Sequence, residues 1–210
     1  MRVTVLLLLV LLAAAIPAKA AETAAPTAIA AIVGRVKGDA TAMGSGSPHA
    51  LAPGDGVQAG WRVRTGDGGR LELAFTDGTA ITLGQNADLT IDDFTYLPAA
   101  GRGNARFAIA QGAFLVVTGS VGKLPDRPFH VVTPLASIGI RGTTFWGGRL
   151  YDPLNVLVLD GAITVENPAG RVEMTTARLG TAIHAVGSAP TPPKAWPEDD
   201  IADAMAMVSF

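Results

Sequence analysis

The chain of 210 residues contains no cysteine. Disulfides, thiolate metal sites, a cysteine nucleophile and a lipid-bearing cysteine behind an export signal are therefore all excluded. Its three histidines, His49, His130 and His184, stand far apart and lack the H-x-H or H-E-x-x-H spacing of a metal site. His130 and His184 fall in expected strands and read as structural. No serine sits in a G-x-S-x-G elbow. Gly122-Lys123 is not a phosphate loop, because Val117 stands where the first glycine belongs and Leu124 replaces the hydroxyl residue. Asp55, Asp67, Asp77 and Asp160 each neighbour a glycine, where Asp caps turns, and no D-x-D-x-D-G run offers a calcium loop. A glycosidase would need two such acids to meet in one cleft. The residues thus call for a non-catalytic protein with no cofactor and no metal.

Long apolar runs are also missing after Ile16. Every later one is cut by Gly, Pro or charge within about eight residues, far short of the ~20 needed to cross a bilayer. What precedes Ile16 is different. Arg2 supplies a positive start, Val3 to Ile16 is an apolar run broken only by Thr4, and Pro17 ends it. Ala18-Lys19-Ala20 then places small residues at the positions signal peptidase reads, so cleavage is expected before Ala21. The run is too short for a membrane anchor. Removing residues 1–20 leaves about 190, ordinary for one domain. Cleavage also takes Arg2 and Lys19 from the 16 basic residues, leaving 14 against 18 acidic ones and a net charge of −4. The remaining basic residues are scattered from Arg35 to Lys194, which gives no footprint for nucleic acid or an anionic lipid surface.

Residues 21–31 are rich in Ala, Thr and Pro and read as a flexible leader. From Ile32 to Val186 the pattern is strand-like. Leu71 to Thr76, Ile81 to Leu83 and Leu89 to Ile91 alternate with period two, so each buries one face and wets the other. Asp67-Gly68, Asp77-Gly78 and Asp160-Gly161 sit where tight hairpins belong. Further strands are expected at 106–110, 114–118, 129–133, 143–146, 156–159, 163–166, 171–175 and 181–185. About a dozen short strands with closely spaced turns predict a single all-β domain over 32–186, as a sandwich, roll or solenoid-like fold. Residues 187–210 read as a Pro/Ala-rich linker and a short helix, in which Pro197 and the acids 198–200 suit the start and Ile201, Met205 and Val208 share one face.

Three ordered segments resemble the FecR domain family of bacterial envelope proteins. They are Leu51-Ala52-Pro53-Gly54-Asp55-Gly56-Val57-Gln58-Ala59-Gly60 with Val63-Arg64-Thr65-Gly66, then Arg70 to Thr79 leading into Leu83-Gly84, and the most specific, Phe129 to Phe145. Val158 to Val165 matches the family's strand-turn-strand ending. The resemblance implies an all-β envelope module that binds a protein or a ligand. Well-known members of the family join such a module to a membrane helix and a cytoplasmic segment that contacts a sigma factor. Here a cleavable signal stands in their place, so no direct sigma-factor contact is expected. The chain is read as a soluble module of the periplasm, or secreted beyond it, engaging an envelope protein or small ligand. The alternative is a structural envelope component that contacts peptidoglycan or an outer-membrane assembly.

The candidate interaction or structural anchors are Arg141, Thr143, Asp77 and Asp160. Arg141 follows Ile138 and Ile140 and precedes Gly142, so its guanidinium is expected to be partly buried. A buried Arg needs a carboxylate, which Asp77 or Asp160 would supply. Such a pair would fix strand register; otherwise Arg141 would anchor an anion or a partner.

Overall fold

The computed structural model describes residues 28–126 and 128–210. The expected signal peptide and most of the expected leader lie outside these residues.

The N-terminal half supplies β1 (Ile29–Lys37), β2 (Ala40–Met43), β3 (His49–Ala50), β4 (Gly56–Gln58), β5 (Arg62–Thr65), β6 (Arg70–Phe75), β7 (Ala80–Leu83) and β8 (Asp88–Leu97). The C-terminal half supplies β9 (Arg102–Gln111), β10 (Phe114–Val117), β11 (Phe129–Val132), β12 (Ser137–Gly148), β13 (Leu154–Asn167), β14 (Gly170–Met174), β15 (Leu179–Ile183), β16 (Lys194–Ala195) and α1 (Glu198–Ala206). The fold is all-β with one short C-terminal helix, as the alternating pattern implied. In β6, for example, Leu71, Leu73 and Phe75 are buried while the residues between them turn outward.

Strand order is β3-β2-β5-β8-β9-β11-β12-β10-β7-β6-β1-β4, with β13 alongside β12, β14 and β15 against β13, and β16 against β15. Pairing is antiparallel except between β9 and β11. β12 links two halves of the sheet: its start pairs with β11 and its end with β10. β13 accompanies it throughout, from Ser137 opposite Glu166 to Gly148 opposite Asn155. The sheet curls so that β6 faces β8 and β9. Phe75 packs on Phe94 and Phe107 with ring centroids 5.0 Å apart in both pairs, and Phe107 meets Phe129 at 5.4 Å.

A second, smaller core lies on the outside of β10, β12 and β13. These strands are apolar on both faces. Phe114, Val116, Phe145, Val156 and Val158 enter the main core, while Trp146 and Leu157 point outward against Trp196, Ala204 and Val208. The C-terminal segment is what covers them. Trp196 packs edge-on to Trp146, centroids 6.1 Å apart, and lies over Gly180, where a Cβ would overlap its Nε1. Glu198, Asp199 and Asp200 occupy the first turn of α1, where their charge complements the helix dipole.

Two local expectations are corrected. Asp160-Gly161 does not turn a hairpin; β13 runs through it as one strand, with Gly161 at a bulge. β1 begins at Ile29, inside the stretch expected to be flexible. Register shifts near Ala31 and Arg35 break its period, so that Ala30 and Ala31 are both buried and the alternation that marks a strand is lost.

Candidate functional site

Three of the four family-like segments meet at the bend of the β12–β13 hairpin. Pairing along the two strands shifts register between Arg141 and Phe145. Gly142 at φ 55° and Gly161 at φ 81° form the bend, and a Cβ on Gly161 would overlap the Gly142 carbonyl oxygen. An extra residue in one strand leaves backbone groups without ladder partners. Thr143 serves them: its buried Oγ1 donates to the Ala162 carbonyl at 2.7 Å and accepts from the Ala162 N–H at 3.2 Å. Thr118 closes the other side, its Oγ1 accepting from the Thr143 N–H at 2.7 Å and donating to the Thr143 carbonyl at 3.1 Å.

Asp77 joins the same region from the β6–β7 turn. Its carboxylate accepts from the Thr79 N–H and hydroxyl, both at 2.9 Å, and from the Val121 N–H at 3.0 Å. Thr79 Oγ1 in turn accepts from the Gly119 N–H at 2.9 Å. Buried Asp77 and Thr79 therefore hold the loop that carries Thr118, and Thr118 holds the bend. This explains the residue types: a short acid and three hydroxyls can satisfy buried N–H groups without adding bulk.

The ion pair expected for Arg141 does not form. Asp77 is already occupied by Thr79 and Val121, and Asp160 is exposed. Arg141, just before the bend, lies on the outer face, where it is exposed and has no salt bridge among the described residues. There it borders a groove of about 260 Å3 across β11 to β14, with His130, Thr164, Glu166, Arg171 and Glu173 along it. Alternation produces this face: Ile138, Ile140, Ile163, Val165 and Met174 point into the core, leaving Arg141, Thr164, Glu166 and Glu173 outside. Arg171 and Glu166 are 3.8 Å apart and both more than half exposed, so their attraction is weak. The groove thus offers two guanidinium groups and two carboxylates to a polar partner. Thr143 contributes by positioning the bend and does not line the groove.

Other charged clusters escape a reading of the sequence because their members are distant in the chain. Arg62 and Arg64 on β5 both reach buried Asp88 on β8, with Arg62 Nε at 2.6 Å and Arg64 Nε at 3.0 Å. The Arg62 hydrogen bonds, aided by Arg64, hold the Asp88 carboxyl below its ordinary range against the opposing effect of burial. His184 meets Asp152, which also accepts from the Asn155 side chain at 3.2 Å. The His184 contact is the main reason the Asp152 carboxyl is likewise lowered. Among the described residues no three His, Asp or Glu side chains are grouped to hold a metal ion, and no helix is long and apolar enough to cross a membrane.

These features define a curled all-β module whose strand bend is built by a short buried network of Asp and Thr. Residues 61–164 match the FecR protein family, and the chain carries a FecR domain. Two crystal structures of a candidate anti-sigma factor from Parabacteroides distasonis share the fold, each with TM-score 0.55 and 14% sequence identity over 69% of this chain. This chain spans 64% and 63% of those two structures, and the likeness is one of fold. No curated protein matches the chain.

Proposed function

We propose that this chain is an exported, non-catalytic signalling module of the periplasm, which engages an envelope protein or ligand through the groove beside Arg141. The carrying observation is Arg141 itself. The most family-like segment of the chain builds a tight bend, and beside it stands an exposed arginine, on a polar face, with no ion pair among the described residues. An exposed guanidinium stays hydrated until a partner arrives, and it can then make bidentate bonds to a carboxylate. The FecR match and the anti-sigma fold likeness support a regulatory role over a catalytic one. Export is supported by the pattern of residues 1–20.

Two measurements test this reading. Fractionation with mass analysis of the processed protein should place it in the periplasm with Ala21 first; a cytoplasmic, unprocessed chain refutes export. A photo-crosslinking residue at Thr164 or Thr175 should trap one specific envelope component, and Arg141→Ala should abolish the product. Equal cross-linking from Met43, on the far edge of the sheet, would refute the groove. Retention on purified cell-wall sacculi without any cross-linked protein would replace signalling with a structural role.

A further inference from the structure

A second site lies at the other end of the hairpin, and it shares no residue with the groove at Arg141. Beside the β12–β13 connection is an apolar cleft of about 260 Å3, walled by Ile109, Phe114, Pro134, Leu135, Pro153 and Leu154. An adjoining cavity of about 660 Å3 is polar, with Arg70, Gln85, Asn86, Gln111 and Arg149 around it. The two share Gln111, Gly112 and Arg149. Among the described residues no carboxylate lines either one. Arg149 is exposed and forms no ion pair among the described residues. Arg70 is half-buried; it donates from Nη1 to the Gly69 carbonyl at 2.8 Å, while its enclosed Nε has no protein partner among the described residues.

We infer that this double cleft binds a small amphiphilic anion, its apolar body between Leu135 and Leu154 and its acidic head against Arg149 and Arg70. Small-molecule sites are concave, largely apolar and equipped with a few convergent polar groups. Two arginines with side-chain amides and no opposing acid favour a carboxylate, sulfonate or phosphate over a neutral or cationic head. The arginines also stand near the carbonyl end of α1, at Ala206 and Met207, and offset its partial negative charge. That role needs no apolar cleft alongside, and the cleft is what sets the ligand class. The apolar space is at the small end for ligand sites, which points to a soluble short-chain or aromatic acid rather than a membrane lipid.

The test uses the full chain with octanoate, octanol and inorganic phosphate as probes. Isothermal titration should show saturable octanoate binding, weaker octanol binding and the weakest response to phosphate. Amide shifts on titration should centre on Gly112, Leu135, Arg149 and Leu154. Arg149→Gln should weaken octanoate about tenfold and leave octanol nearly unchanged, the loss of one charge-assisted contact. Leu135→Trp should fill the cleft and weaken both, with an unchanged melting temperature showing an intact fold. Equal binding of octanoate and octanol overturns the inference, as do shifts that map elsewhere. So does co-sedimentation with anionic phosphatidylglycerol vesicles in the absence of octanoate binding. None of these outcomes bears on cross-linking at the Arg141 groove, so the two readings fail independently.

Discussion

Thr143 shows how one side chain can decide a backbone path. Its hydroxyl both donates to and accepts from Ala162 across the bend, so removing it orphans buried backbone groups. Thr143→Val should cost about 1–3 kcal/mol in urea unfolding, and Thr143→Ser should recover most of that. Asp88 behaves differently, because its contribution depends on charge. Its folded pKa is lowered, chiefly by Arg62. The pair therefore stabilises the protein above the unfolded carboxylate value of about 3.9 and loses that contribution as pH falls through the lower folded value. Unfolding free energy measured from about pH 6 down to about pH 2 should show this acid limb, and Asp88→Asn should flatten it. Arg62 and Arg64 are partly exposed, so solvent screening keeps the effect small. Neither partner set could be read from the chain. Asp77 and Arg141 are plausible mates in sequence, yet Thr79 lies two residues from Asp77 and occupies it first.

At the scale of elements, β13 and α1 carry the main lessons. The alternation in β13 was legible on both sides of Asp160-Gly161, but the dipeptide reads as a hairpin turn by local chemistry. Only β12, running unbroken beside it, turns that glycine into a bulge. Gly161→Ala should destabilise by more than the ~1–2 kcal/mol of a left-handed alanine, because its Cβ also overlaps the Gly142 carbonyl. Thermal melts check this against Gly46→Ala, where a Cβ meets nothing within 4 Å and the melting temperature should barely move. The docked helix was legible as an amphipathic segment, but its seat was not. Val156-Leu157-Val158 looks like a strand buried on both faces, and the cover for the outer face comes from far downstream, at Trp196 and Val208. Trp196→Ala should cost about 3–5 kcal/mol and shift the emission of Trp146 to the red as water reaches it.

For the molecule as a whole, many strand pairs join distant stretches: β1 with β6, β7 with β10, β9 with β11. Loops of that length must close before the pairing stabilises anything, so folding should take milliseconds to seconds. Stopped-flow refolding from urea checks this, and a sub-millisecond main phase would contradict it. The absence of cysteine means that no disulfide holds this topology together.

The amino-acid sequence by itself determined the fold class, most of the strands after Leu71, the C-terminal helix and the resemblance to FecR domains. Each of those rests on local periodicity, turn chemistry or ordered short motifs. Tertiary structure alone decided which acid meets which arginine, how the bend at Gly142 is held and which apolar strands need a second cover. Those outcomes depend on competition in space: a hydroxyl two residues away captures Asp77, so that carboxylate is not free to meet Arg141.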